Sequence, residues 1–346
     1  MKALVKIAGG KGNVQICEVP EPFPRQGQVK IEVKAAGICG SDIHILHGKS
    51  PQPTHPPFIM GHEFSGIIRE MGPGSTVGQV GDRVVAETAV FVCEQCEYCR
   101  TGQYHLCRER EGFGFWHDGA FAQYIIVPEK RVHKLPDSID FISGALCEPL
   151  AVATHAVGEL ARILPGDLVL VSGVGTIGLL AAQVARLKGG RVILSGTSED
   201  TGRLAIARSL GFSEGIDGQA QNFQACIHEL SRGKGIDVVL ECSGAPEAVR
   251  SGLLAIKKKG SFLQIGLFGK PFEVDFELIA SKEITVQGSI SHHWASWSMA
   301  LKLLERGIVQ TRPLVTDILP LDRWEEGFAK FERKEGMKIL LTPVQS

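Results

Sequence analysis

The chain has 346 residues, enough for two domains at roughly 150 residues each. Its composition, 44% hydrophobic and 22% charged with a formal net charge of -1, is that of an ordinary globular protein and carries no electrostatic signature of nucleic-acid binding. The nine cysteines are odd in number and clustered in one segment, which argues against a secreted disulfide framework and for a reducing, cytoplasmic setting.

The opening stretch "MKALVKIAGGKGNVQICEVP" reads as a charged, interrupted strand rather than a signal peptide, so the mature chain is expected to start here. Residues 29–35 and part of 121–128 alternate apolar and polar side chains, and such short runs, broken by glycine and proline, predict a β-rich domain over the first 136 residues. Within it, "GICGSDIH" at 37–44 gathers Cys39, Ser41, Asp42 and His44. Read alone, that stretch is a glycine-rich loop with a buried thiol. "GHEFSG" at 61–66 sets His62 beside Glu63, which alone would be a satisfied hydrogen-bonded pair. Together with Cys39, these two offer three ligands for a zinc with one open position, as a catalytic metal site requires.

Next comes "CEQCEYCRTGQYHLC", a C-x2-C-x2-C-x7-C array of Cys93, Cys96, Cys99 and Cys107. Four thiolates from one lobe can close around a structural zinc; an iron–sulfur cluster or unrelated core cysteines are the alternatives.

From about residue 165 the texture changes. "LVLVSGVGTIGLLAAQVA" at 168–185 is uncharged and long enough to raise the question of a membrane span, but its glycine-rich centre reads as strand, turn and buried helix. Gly173, Gly175 and Gly178 form G-x-G-x-x-G, enclosing Thr176 and Ile177, after a strand and at the start of a helix. That context is the one in which a backbone turn cradles a dinucleotide pyrophosphate. The strands "RVILSG", "IDVVLECSG" and "SFLQIG", the last ending at Gly266, alternate with helical runs, which predicts a parallel sheet. Beyond about 290, two amphipathic helical stretches and a strand-like "MKILLTP" are too short for a domain and are expected to pack back onto another.

In their order and spacing, "GICGSD", "GHEFSG", the four-cysteine lobe, "EPLA" at 148–151, "GVGTIG" and the late "GS" at 288–289 resemble the zinc-dependent medium-chain dehydrogenase/reductase family, that of the alcohol and sorbitol dehydrogenases. The resemblance implies an α/β protein: a GroES-like β-rich domain from 1–150 and 291–346, interrupted by a Rossmann domain at 151–290. It also implies two zinc ions per chain, one catalytic and one structural. Cys39 and His62 would bind the catalytic zinc, with Glu63 as third ligand in the polyol branch. Glu148 falls where alcohol-dehydrogenase relatives supply a cysteine; it would bind the metal, bind its water or exchange with Glu63, and Cys147 is a thiolate alternative. In such enzymes zinc lowers the pKa of the substrate alcohol and hydride passes to the nicotinamide. Ser41 would take the proton and pass it through the cofactor ribose to His44. Asp42 would support the site rather than act as a base.

Cofactor contacts are implied at Gly173, Gly175, Thr176, Ile177, Gly178, Gly196, Ser198, Arg203, Gly266 and Ser289. One departure bears on the cofactor. Gly196 stands where NAD enzymes usually carry an acid for the ribose 2′-OH, about 20 residues after the glycine motif. Its loss, with Arg203 in reach of a 2′-phosphate, leans towards NADP, whereas Glu199 or Asp200 could replace the missing acid and restore NAD. For the substrate, Phe115, Trp116, His292, His293 and Trp294 come from stretches that line the cleft in relatives; core packing or a subunit contact is the alternative. Histidines among aromatics suit a hydroxylated, sugar-like molecule. The resulting expectation is an NAD(P)-dependent dehydrogenase of a polyol or sugar-derived secondary alcohol, assembled as a homodimer or homotetramer, with no membrane or nucleic-acid partner. The competing readings are an amino-alcohol dehydrogenase of the threonine type, a simple-alcohol dehydrogenase, and a non-catalytic cofactor-binding protein.

Overall fold

A computed structural model describes residues 1–50 and 54–343. The chain divides into two compact units, one formed by residues 1–148, 292–306 and 315 to the end of the described chain, the other by 149–291 and 307–314.

The first unit is built on a seven-stranded, mostly antiparallel sheet. Strand Gln28–Gly37 lies at its centre, flanked by Glu63–Met71, Tyr124–Pro128 and the late strand Lys338–Thr342. The central strand is buried along most of its length because neighbours cover it, and Ile31, Phe64, Phe113, Phe121, Phe328 and Ile339 pack into one core around it. The tail thus returns to the first unit: "MKILLTP" supplies a strand, and helix Trp324–Glu332 packs beside it. A smaller three-stranded sheet carries Phe58–Ile59, which leads into the His62 segment.

The second unit is a six-stranded parallel sheet in the order 215–217, 191–196, 168–172, 236–241, 256–264, 285–288. The strand order reverses between 168–172 and 236–241, the place where doubly wound sheets open a crevice for ligands. Strand Leu168–Ser172 is buried at every position, which accounts for its unbroken apolar sequence. Helix Thr176–Leu187 follows; its apolar sequence is that of a helix sunk in a protein core. Among the described residues no helix is long and apolar enough to cross a membrane.

Candidate active site

Cys39 ends the central strand's exit and immediately precedes helix Gly40–Leu46. Its backbone N–H donates to Asp42 Oδ2 at 2.9 Å, so the fully buried Asp42 fixes the loop that presents the thiol. His62 lies between two strands, at a point where the chain needs glycine. Gly61 has φ +88°, and a Cβ there would come within 2.6 Å of the Phe121 ring. Glu63 opens the next strand, buried to 1% exposure. The ligand atoms of Cys39, His62 and Glu63 all lie within 4.8 Å of one another.

Charge explains why three polar groups are buried together. Burial disfavours an imidazolium at His62, yet the Cys39 thiol, Asp42 and Glu148 outweigh that cost and raise its pKa to about 10. Glu63 is pushed up by burial and by the neighbouring Glu148 charge, against the pull of Lys338. Nδ1 of His62 has no hydrogen-bond partner among the described residues. A cluster in which thiol and carboxylates outweigh the bases, with one imidazole nitrogen unspent, has the donor chemistry of a divalent cation site.

Two features of this cluster were not read from the sequence. The first is Lys338, which reaches in from the last strand to pair with Glu63 and donates to the Ile38 carbonyl at 2.9 Å. Gly37 makes room for the pair: a Cβ there would stand 2.4 Å from Glu63 Oε2 and 2.9 Å from Lys338 Cε. A lysine inside an otherwise apolar terminal strand is the signal that could have exposed it. The second concerns His292, which is only 2% exposed and bonds Glu148 Oε1 through Nε2 at 3.0 Å. Burial penalises the Glu148 charge, but the His292 contact holds its pKa below the ordinary carboxylate value. Glu148 stands near the cluster, turned to His292, and is not among the three closely grouped donors.

Ser41 and His44 share helix Gly40–Leu46 three residues apart, hence on one face, and Ser41 Oγ is buried without a partner among the described residues. Phe115 lies 5.2 Å from the His62 ring, and Trp116 packs against His55 at 4.1 Å with the ring planes tilted by 40°. Trp294 instead packs on His133 at 4.1 Å.

The four cysteines form a second cluster, their sulfurs all within 4.8 Å of one another. All are free, and Cys93 Sγ stands 3.9 Å from Cys99 Sγ and 3.5 Å from Cys107 Sγ. A tetrahedron with zinc–sulfur bonds of about 2.3 Å has edges of about 3.8 Å, so these spacings suit zinc and are far beyond a disulfide. Backbone N–H groups of Gln95 and Cys96 lower the Cys93 thiol to about 7, whereas burial and the adjacent sulfurs push Cys99 well above the usual thiol range.

In the second unit Gly173 has φ +101°, and a Cβ on it would meet Ser243 at 2.9 Å. A Cβ on Gly178 would strike the Gly173 carbonyl oxygen at 1.8 Å, which ties helix to strand. Gly175, the residue before Thr176 and Ile177 at the helix start, faces open space within 4 Å. The three positions thus serve a tight turn, close packing and open access for a phosphate. Beyond the next strand, Asp200 Oδ2 accepts from both the N–H and the hydroxyl of Thr197 at 2.9 Å, and Arg203 pairs with Asp200 at 3.5 Å. Gly196 is buried against Val174 and Asp200, while Ser198 and Glu199 are exposed. Ser198, Arg208 and Asp217 line a cavity of about 260 Å³ beside this turn. Gly266 packs against Gly244 and the buried Glu241, and Ser289 N–H bonds the Gln264 carbonyl at 2.9 Å.

The fold and the two metal-type clusters define a dehydrogenase of the zinc class, and comparison with known proteins agrees. Residues 25–137 match the alcohol dehydrogenase GroES-like domain and residues 176–306 the zinc-binding dehydrogenase domain. The chain belongs to the zinc-dependent medium-chain dehydrogenase/reductase family and is an oxidoreductase. It is 46% identical to a sorbitol dehydrogenase of Halalkalibacterium halodurans, over 99% of this chain and 100% of that one. With a D-arabitol-phosphate dehydrogenase of Enterococcus avium it shares 36% identity over 99% and 97% of the two chains. A Sinorhizobium meliloti 1021 protein described as a zinc-binding dehydrogenase, crystallised bound to NADP, superposes with a TM-score of 0.90 at 31% identity over 99% of both chains.

Proposed function

We propose that the protein oxidises a polyol or sugar-derived secondary alcohol, and reduces the matching ketone, with a nicotinamide dinucleotide. The observation that carries this reading is the convergence of Cys39, His62 and Glu63 donor atoms within 4.8 Å, with the carboxylate of Glu148 close behind. Cys39, His62 and Glu63 would hold one zinc, which when bound supplies a Lewis acid for the substrate oxygen. Cys93, Cys96, Cys99 and Cys107 would hold a second, structural zinc that leaves no coordination position open. Ser41 receives the substrate hydroxyl proton, and His44, one helical turn on, delivers it to solvent. Glu148 completes the acidic surroundings, as ligand or as partner to the ligand sphere.

Relatives named for sorbitol and for D-arabitol phosphate support the substrate class. The carboxylate-rich donor set and the Phe115, Trp116 and His55 rings suit a hydroxylated carbon chain. In the dinucleotide domain, here residues 151–290, the turn at Gly173 to Gly178 takes the pyrophosphate. Asp200 is engaged by Thr197 and Arg203 inside its own turn, and Arg208 lines the cavity beside it; both favour NADP, whereas the exposed Glu199 and the cavity-lining Asp217 are the acids that would favour NAD. Exposed Val286 on edge strand Thr285–Gly288, with Ile290 just beyond, supports assembly as a homodimer or homotetramer, and the free cysteines favour a reducing, cytoplasmic setting.

The test is reduced-nicotinamide absorbance with zinc-loaded protein, scanning sugar alcohols, sugar phosphates, threonine and simple secondary alcohols against each cofactor separately. Turnover of a polyol with a strong cofactor preference is expected. Threonine as the sole efficient substrate would replace this reading with the amino-alcohol one.

A further inference from the structure

A line of side chains, buried from Glu87 to His292, runs from Tyr104 in the four-cysteine lobe to Glu148 beside the Cys39 cluster. Tyr104 stands between the third and fourth cysteines, its ring covered by the Arg131 guanidinium at 4.1 Å. Its hydroxyl donates to Glu87 Oε2 at 2.5 Å, and the other oxygen of this fully buried carboxylate contacts His133 Nε2 at 3.0 Å. The His133 ring lies on that of Trp297, planes 8° apart and centroids 5.2 Å apart. Trp297 Nε1 then donates to His292 Nδ1 at 2.7 Å. An indole N–H can only donate, so Nδ1 is the acceptor and the proton of a neutral His292 ring sits on Nε2. That nitrogen faces Glu148 Oε1 at 3.0 Å, with Thr88 Oγ1, itself an acceptor from Arg110 Nη2 at 2.7 Å, 3.4 Å away.

Glu87, His133, Trp297 and His292 are buried and have no water to fall back on, so each must keep its partner, and displacing one displaces the next; the half-buried Tyr104 joins this line through its bond to Glu87. The His292 N–H engages one Glu148 oxygen and thereby sets the plane in which the other can lie.

We infer that His292 and Trp297 are positioning residues for Glu148, and that the four-cysteine lobe holds them in place through Tyr104, Glu87 and His133. The metal-type lobe is then a determinant of the catalytic carboxylate's geometry as well as of its own fold. The inference rests on the reading of the Cys39 cluster as a zinc site.

The experiment compares Tyr104→Phe, His292→Leu, His292→Gln and the Tyr104→Phe/His292→Leu double variant with the wild-type holoenzyme. Two quantities are read: zinc retention at the Cys39 cluster against a competing chelator while the lobe keeps its zinc, and kcat separately from KM. His292→Leu is expected to lose about 10- to 100-fold in zinc affinity or kcat, the range for groups that orient metal ligands. His292→Gln, which keeps a donor and an acceptor, should recover most of it. Tyr104→Phe, which leaves all four cysteines in place, should move the same quantities in the same direction, and should add nothing once His292→Leu has cut the line. Unchanged zinc retention and kcat in Tyr104→Phe, or an independent multiplicative loss in the double variant, would overturn the link to the lobe. An unaffected His292→Leu would overturn the positioning of Glu148. Should His292→Leu not fold, Tyr104→Phe and His292→Gln decide the matter alone. A wild-type protein that retains no zinc at Cys39 refutes the functional reading itself, before any variant is made.

Discussion

Lys338 and Glu63 show most directly how one residue conditions the site. Both are almost fully buried, and each is the other's charge partner. In zinc-free protein, Lys338→Met should therefore leave an unpaired carboxylate in the core and lower unfolding stability by about 3–5 kcal/mol, read from a denaturant midpoint. Combining it with Glu63→Gln should return part of that loss, because the orphaned charge is gone. Glu87 makes a pH prediction away from the Cys39 cluster. Burial works against its charge, but His133, Tyr104 and Arg131 hold its pKa below the ordinary value of 4.5. The unfolded chain then binds a proton at a higher pH than the folded one, so the stability it contributes is complete above the ordinary value and is lost as pH falls through the folded one. Acid unfolding of Glu87→Gln should accordingly be less steep across that window than that of the wild type. An identical acid limb would show that Glu87 is not held as an anion. Lys338 and Glu87 were not legible as site residues in the sequence, and His292 was read as a cleft residue but not as the partner of Glu148, because these partners lie far along the chain and no spacing rule connects them. His62, Glu63 and the four cysteines were legible because their chemistry is packed into short runs.

At the scale of elements, the turn between strand Leu168–Ser172 and helix Thr176–Leu187 separates packing from binding. Gly178 lies against the Gly173 carbonyl, whereas Gly175 faces open space. Gly178→Ala should loosen the helix from the strand and cost stability. Gly175→Ala should keep the wild-type melting temperature and still weaken dinucleotide binding, by about 10-fold or more, since its methyl would occupy the place of the phosphate. Equal cofactor affinity in Gly175→Ala would move the pyrophosphate elsewhere. The alternation of strand and helix was readable from apolar periodicity. The role of the second strand's turn was not. Asp200, weighed as a replacement acid, staples that turn through Thr197 and Arg203, contacts that no spacing in the sequence announces.

For the whole molecule, the proposed function has the two clusters divide the labour between holding the fold and doing the chemistry. Cys99→Ser should lower the melting temperature and release zinc, because a closed thiolate site contributes folding free energy directly. Val286→Lys, on the exposed edge strand Thr285–Gly288, should reduce the molar mass seen by light scattering and leave both zinc ions bound. The proposed catalytic metal site of Cys39, His62 and Glu63 is tested by counting zinc and assaying polyol turnover in the same preparations of wild type and Cys39→Ala. The variant is expected to lose about one zinc per chain, to keep the lobe's zinc and its fold, and to have no measurable turnover. A Cys39→Ala protein with undiminished zinc and full activity would contradict the assignment.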